Sequence, residues 1–307
     1  MIFTCTMNPS LDYYLEFDGP LISGRPNRSQ LEYYEAGGKG INVSIVLNNL
    51  GIPSRTLGFV GGFTKDFYIS LLAKYEHILP NFTYIDGHTR INVKCIGEVD
   101  TDLNAVGPYI THDNMDNLVK KAERLDQGDY FVLAGITQEY LEEETEKMLR
   151  NLIACGVKVV LDTNPSLMKE MLADKPFMIK TTPAELAALS GMPAGTKEEC
   201  VQAALAVRDA GCEHVMILYD DADALFISAD GAFESPLTHA EHFINTVGTG
   251  DSIVAGFLMN YLRTRDALDS FRFGASCGSA TAYSKGLATR EKIDAAYSNT
   301  EVTKIGG

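Results

Sequence analysis

Cysteine pairs are missing from this chain. Its six cysteines, Cys5, Cys95, Cys155, Cys200, Cys212 and Cys277, are spread singly. That spacing excludes a disulfide framework or a zinc knuckle and fits a reducing cytoplasm. Most stand inside apolar patterns, as small buried hydrophobes do. The six histidines show no ligand spacing and read as surface or supporting residues. Cationic charge is scarce: 26 Lys and Arg face 41 Asp and Glu, a net −15, which argues against nucleic acid or an anionic membrane as partner. No apolar run approaches the ~18 residues that span a bilayer, and no basic stretch precedes an apolar one at the N-terminus, so no signal peptide is expected. Repeats, low-complexity stretches and flexible linkers are also lacking, so the 307 residues read as one large domain. What is present is ordinary globular material, 45% hydrophobic and 22% charged. In so acidic a chain a small anionic ligand needs a local basic pocket. Arg25, Arg28, Lys39, Arg90 and Lys94 are the candidates, with Arg25 reading better as a solvated surface charge.

Short apolar runs alternate with amphipathic patterns, which predicts βαβ units and a doubly wound, mostly parallel sheet flanked by helices. Buried strands are expected at 2–6, 130–134, 157–161, 177–179 and 214–218. Helices are expected at 113–125, 138–154, 183–189 and 197–210, with Thr111 and Thr137 as N-caps. From Asp251 onward the chain reads as mostly helical. Two regions break this rhythm: 13–17 with 31–35, and 90–99 with 102–104. Their alternating polarity predicts a small antiparallel sheet outside the main one, built from about 12–36 and 88–105. Ligands of doubly wound sheets bind beyond the carboxyl ends of the strands. Asn8, Asp12, Asp162 and Lys180 all follow or close such strands.

Two glycine clusters carry the chemistry. Asn245-Thr246-Val247-Gly248-Thr249-Gly250-Asp251 runs into the apolar stretch 253–258, so its amides lie at the positive start of a helix, where anions bind. Asp251 there either caps the helix or takes a proton from a hydroxyl while the amides stabilise a phosphoryl group. The second cluster, Ala36-Gly37-Gly38-Lys39-Gly40-Ile41-Asn42, opens a helical pattern that Gly51 closes. Neither is a commoner nucleotide motif: no Ser or Thr follows Lys39, and Ile253 stands where a dinucleotide fingerprint has its third glycine. Together they suggest one site with two halves.

This pair of clusters resembles the two signatures of the PfkB, or ribokinase-like, family of carbohydrate kinases. The resemblance extends over nearly the whole chain, through Asn8-Pro9-Ser10-Leu11-Asp12, Asn27-Arg28, residues 89–94, Thr101-Asp102-Leu103-Asn104 with Gly107-Pro108, and Gly274 to Ala280. It implies a ribokinase-like fold with the small sheet as a lid over the sugar and as a homodimer contact. It further implies ATP-dependent phosphorylation of a ketohexose phosphate, with fructose 1-phosphate giving fructose 1,6-bisphosphate as the leading reaction and tagatose 6-phosphate as the alternative acceptor. A lid that excludes water keeps the phosphoryl group from hydrolysis.

The resemblance also implies roles. Asp251 is the base, and the amides of Gly248, Thr249 and Gly250 form the anion hole. Asp12, Gly38, Lys39 and Asn42 surround the sugar, while Arg28, Arg90 and Lys94 meet its phosphate. Lys180, Asp220 and Asp223, with Gly248 and Gly250, border the nucleotide. Mg²⁺ arrives with ATP, with Glu185 as the metal-orienting acid and Asp162 near the phosphates. Three stretches depart from the family pattern. Thr182 replaces an Asn three residues before Glu185. Gly135-Ile136-Thr137-Gln138 replaces a Gly-Ser-Leu-Pro run. Leu218-Tyr219-Asp220-Asp221-Ala222-Asp223 puts acids where glycines usually stand beside the triphosphate. Asp220, Asp223 and Thr182 together motivate a different class of function, a catalytically weak sugar-phosphate-binding regulator.

Overall fold

The computed structural model describes residues 1–219, 223–236 and 247–306. Its strands are β1 (Ile2–Thr6), β2 (Ser10–Glu16), β3 (Leu31–Gly37), β4 (Ser54–Gly61), β5 (Ile78–Pro80), β6 (Thr83–Ile85), β7 (Arg90–Ile96), β8 (Thr101–Leu103), β9 (Tyr130–Ala134), β10 (Lys158–Asp162), β11 (Met178–Thr181), β12 (His214–Tyr219), β13 (Asp223–Ser228), β14 (Gly231–Pro236) and β15 (Thr303–Gly306). Its helices are α1 (Lys39–Asn49), α2 (Gly62–Leu72), α3 (His112–Ala122), α4 (Glu142–Ala154), α5 (Pro165–Glu170), α6 (Pro183–Ser190), α7 (Lys197–Asp209), α8 (Thr249–Thr264), α9 (Ala267–Ala282) and α10 (Arg290–Tyr297).

The main sheet runs β15-β14-β13-β12-β11-β10-β9-β1-β4-β5, with β6 also on β4. From β12 to β5 every pairing is parallel, and the β13–β15 edge is antiparallel. Alternate side chains of the central strands feed two cores. Leu133, Leu161 and Ile217 face α3–α7, whereas Val132, Val160 and Met216 face α1 and α8–α10. Burial on both faces explains why these strands read as continuous apolar runs. The chain reverses direction across the sheet between β1 and β9, so Thr6, Asp162 and Lys180 gather at the carboxyl ends on either side of that switch point.

The lid is a separate four-stranded sheet, β3-β2-β7-β8. Two antiparallel pairs, β2–β3 and β7–β8, are joined by a parallel β2–β7 register. Its registers place Ser10, Asp12 and Tyr14 on one face beside Arg90, Asn92 and Lys94. Thr111 caps α3 as expected, within a capping box to Asn114. Thr137 does not cap a helix. A 3-10 turn at Glu139–Leu141 precedes α4, and the Thr137 amide donates to Asn164 Oδ1 (2.9 Å). His214, expected at the surface or in a supporting role, lies buried among Phe177, Phe226 and Phe257.

Candidate active site

The two glycine clusters meet. Gly38 adopts φ 128° as α1 starts over the end of β1, and a Cβ there would come within 2.7 Å of Thr6 Cγ2. Only glycine lets this helix begin so close to the strand. One turn into α1, Asn42 Nδ2 donates to Asp251 Oδ2 at 2.8 Å. Gly248, the N-cap of α8, holds φ 80° and lies against Leu287 and Asn42. Asp251 is therefore the third helical residue rather than the cap, and its carboxylate is held from α1. Helix geometry leaves the N–H groups of Thr249, Gly250 and Asp251 without carbonyl partners inside the helix. They are a ready seat for an anion. Close packing fixes α8 itself: a Cβ on Gly256 would sit 2.5 Å from Cys277 Sγ of α9.

Charge is concentrated beside these amides. Asp162, at the end of β10, accepts from Lys39 Nζ at 2.8 Å and from Lys180 Nζ at 3.1 Å. A Cβ on Gly250 would lie 3.0 Å from Lys180 Nζ, so this ammonium borders the anion seat. Burial alone favours the neutral Asp162 acid, but the two ammoniums outweigh it and hold its pKa below the ordinary carboxylate value. Burial likewise depresses Lys39, and its carboxylate neighbours, Asp162 foremost, overcome that and raise it. Asp251 has the opposite balance. Burial first, then repulsion from Asp162, pushes its pKa up to about 6, against the pull of Lys180, Asn42 and Lys39.

The second half of the site lies under the lid. A cavity of about 200 Å³ between Asp12, Gly37, Asn42, Val247 and Leu287 has room for about seven waters, the scale of a monosaccharide. Asp12 accepts from Ser10 Oγ (2.7 Å) and Asn92 Nδ2 (3.0 Å). Its pKa is raised by burial, with Ser10 and the charges of Lys94 and Arg90 working against the rise. Arg90 donates to the Ala105 carbonyl at 2.9 Å, while its Nε is buried without a partner. Burial also lowers its pKa. On this half-buried guanidinium the enclosed Nε is costly to leave unpaired unless a ligand completes it. Lys94 bonds Asp102.

Several expected residues lie elsewhere or differently. Lys39 extends toward Asp162, on the phosphoryl side, instead of bordering the sugar alone. Asp162 gives both oxygens to lysines and so anchors the two ammoniums. Asp223 opens β13 and shares Lys197 Nζ (3.1 Å) with Glu234 (2.8 Å), so one cation is divided between two carboxylates. Arg28 is exposed in the β2–β3 connection, and among the described residues nothing ties it to Asp12 or Arg90. Asp220 falls outside the described residues. Glu185 Oε2 closes a capping box with Thr182, accepting from its backbone amide (2.9 Å) and hydroxyl (3.0 Å). Thr182 thereby keeps the helix-starting role of the Asn it replaces. Asn92 and Ser10 were not singled out as site residues. Asn92 sits midway between Arg90 and Lys94, and period-two alternation alone puts all three on one face.

A buried carboxylate beside free helix-start amides and an ammonium, linked through Asn42 to a sugar-sized cavity, fits a phosphotransferase with an alcohol as acceptor. The family model described as pfkB family carbohydrate kinase matches residues 8–293, and the chain belongs to that family. It is 34% identical over 306 residues to the 1-phosphofructokinase of Bacillus subtilis, covering 99% of this chain and 100% of that protein. It is 29% identical over 307 residues to the D-tagatose-1-phosphate kinase of Bacillus licheniformis, covering 99% and 100%. Phosphofructokinase-2 from Escherichia coli, solved with substrates and products, shares the fold with a TM-score of 0.91 at 21% identity, covering 97% and 98%.

Proposed function

We propose that this kinase transfers the terminal phosphoryl group of ATP to the free primary hydroxyl of fructose 1-phosphate, giving fructose 1,6-bisphosphate. The observation that carries the reading is the Asn42–Asp251 bond, which joins the sugar side of the crevice to the start of α8. Asp251 takes the hydroxyl proton. The amides of Thr249 and Gly250, the turn at Gly248, and Lys180 stabilise the negative charge of the moving group. Asp12, Gly38 and Asn42 orient the sugar, and Arg90 and Lys94 meet its phosphate, with Arg28 reaching in from the lid loop. No cluster of three or more metal-ligating side chains occurs among the described residues. A Mg²⁺ ion would be held chiefly by nucleotide oxygens and water, with Glu185 orienting it, and it would neutralise phosphate charge.

A panel of fructose 1-phosphate, fructose 6-phosphate, tagatose 1-phosphate and tagatose 6-phosphate, each with ATP and GTP, tests this by release of nucleoside diphosphate. The highest kcat/KM is expected for fructose 1-phosphate with ATP. A preference for tagatose 6-phosphate would support the alternative expected from the sequence, whereas a preference for tagatose 1-phosphate would match the substrate in the name of the Bacillus licheniformis relative. Calorimetric binding of sugar phosphate with no nucleotide binding would refute kinase activity and leave a regulator. The pairing of Asp223 with Lys197, a lysine it shares with Glu234, offsets part of one charge in the set, Asp220, Asp223 and Thr182, that motivates that last reading.

The outward face of the lid carries Tyr13 stacked on Tyr34 at 4.3 Å, with Phe67 edge-on at 5.3 Å and an exposed Leu103. A second copy of this chain is the occupant that suits it, which supports a homodimer through the lid. All six cysteines are free thiols, which supports a cytoplasmic enzyme. No helix among the described residues is long and apolar enough to cross a membrane.

A further inference from the structure

A cleft of about 790 Å³ opens between α3 and the β5–β6 edge, lined by none of the residues assigned above. In a chain of net charge −15 its walls are basic. Lys120 and Arg124 are four residues apart and so share one side of the chain at the end of α3. Both are exposed, and neither has an ion-pair partner among the described residues. Lys121, between them, is committed to the carbonyls of Asn81 (3.1 Å) and Phe82 (2.6 Å), an arrangement that locks this wall to the opposite one. The opposite wall supplies Thr83, 4% exposed, whose Oγ1 is buried with no hydrogen-bond partner. An unsatisfied hydroxyl at this depth is costly, and an oxygen reaching the floor of the cleft would satisfy it. Tyr84 stands beside it with Lys65 over its ring at 4.6 Å. Basic residues at a helix C-terminus also complement the macrodipole, but that role requires neither a cleft nor an orphan hydroxyl. Asp116 is one turn before Lys120 on α3, and no ion pair joins the two among the described residues.

We propose that this cleft is a second anion site, taking a phosphorylated small molecule whose phosphate lies between Lys120, Arg124 and the Thr83 hydroxyl. Its position gives it reach. β6 leads through Gly87 into the lid strand β7, and α3 follows Pro108 at the other end of the lid segment. A Cβ on Gly87 would come within 2.6 Å of Pro108 Cβ. The two walls of the cleft are thus the two roots of the β7–β8 hairpin that carries Arg90.

The chain has no tryptophan, so Tyr84→Trp installs a single fluorescent reporter in the cleft. Inorganic phosphate, pyrophosphate, ADP and fructose 1,6-bisphosphate are titrated against it at constant ionic strength. At least one should give a saturable change with a midpoint of ~1 mM or lower. Adding Lys120→Glu with Arg124→Glu should raise that midpoint at least about tenfold, since each reversal replaces attraction with repulsion at close range. Thr83→Val, which keeps side-chain shape, should raise it several-fold. Arg90→Ala in the catalytic crevice should leave it unchanged. No saturable response to any of the four probes overturns the proposal. So does a response that survives the charge reversals, or one that disappears with Arg90→Ala.

Discussion

Replacing the proposed base tests both chemistry and energetics, because Asp251→Asn should weaken the enzyme while strengthening the fold. The amide keeps the shape and still presents an oxygen to Asn42 Nδ2, so the 2.8 Å bond survives. What disappears is a buried negative charge whose pKa rises from an ordinary 3.8 to about 6 on folding. An acid raised in this way favours folding fully only below its unfolded value, and that contribution is lost as pH climbs through the folded value. At pH 8 the ionised carboxylate therefore costs the native state about 3 kcal/mol, at 1.36 kcal/mol per pH unit. The variant escapes this cost. Its melting temperature should exceed the parent's by a few degrees at pH 8, and the gap should close as pH falls from about 6 toward 4. Turnover should drop by ~10²–10⁴, the usual range for loss of a general base. Scanning calorimetry across pH and a coupled assay of ADP release read the two effects. Parent-like turnover refutes the base assignment. A melting difference that stays constant from pH 4 to pH 8 refutes the buried-charge account.

The pH profile of kcat/KM should show an acid limb near pH 6, because the free enzyme must carry Asp251 ionised. Lys180→Met removes a cation that lowers this pKa, so the limb should move to higher pH by ~1 unit or more; a shift to lower pH would overturn the assigned electrostatics. Arg90→Ala should raise KM for fructose 1-phosphate roughly 10–100-fold, the range for losing a charge-assisted hydrogen bond to phosphate, with KM for ATP nearly unchanged. An equal effect on both substrates would move Arg90 out of the sugar side. Charge placed on the outward lid face, as Tyr34→Asp with Leu103→Asp, should yield a monomer by analytical ultracentrifugation, whereas a parent that is itself monomeric refutes the lid dimer.

What the sequence made legible follows from how far apart the interacting partners lie. β9 and β10 were readable because burial on both faces turns a parallel strand into a short unbroken apolar run. β4 was not, because Gly58 and Gly61 interrupt its run. Gly58 holds φ 137°, and a Cβ there would collide with the Thr6 carbonyl at 2.1 Å, so the pairing of β4 with β1 itself demands the residue that hides the strand. The β13–β14 hairpin escaped for a related reason, since its flanking acids read as part of the nucleotide loop. Within the site, Asp251 and the glycines declared themselves because a turn, a helix start and a carboxylate occur within a few residues. The charge pattern did not. Asp162 takes its two lysines from α1 and β11, and Asp223 takes Lys197 from α7, pairings that only the topology brings about.

That distinction bears on how departures from a family pattern are read. Asp223 looked like a charge facing a triphosphate, and Thr182 looked like the loss of a metal-orienting amide. In the structure the first shares a lysine 26 residues earlier in the chain with Glu234, and the second closes a capping box that fixes Glu185. Each of these two substitutions is answered by a contact that meets part of the local electrostatic or backbone requirement. The proposed catalytic elements show no such exchange: Gly248, Gly250, Asp251 and Asn42 each satisfy a steric or hydrogen-bonding demand that another residue type would break. Tolerance at the nucleotide edge and rigidity at the start of α8 are then two results of one arrangement. The moving phosphoryl group needs amides and a carboxylate in fixed positions, while the rest of the nucleotide can be held by charges that different residues are able to balance.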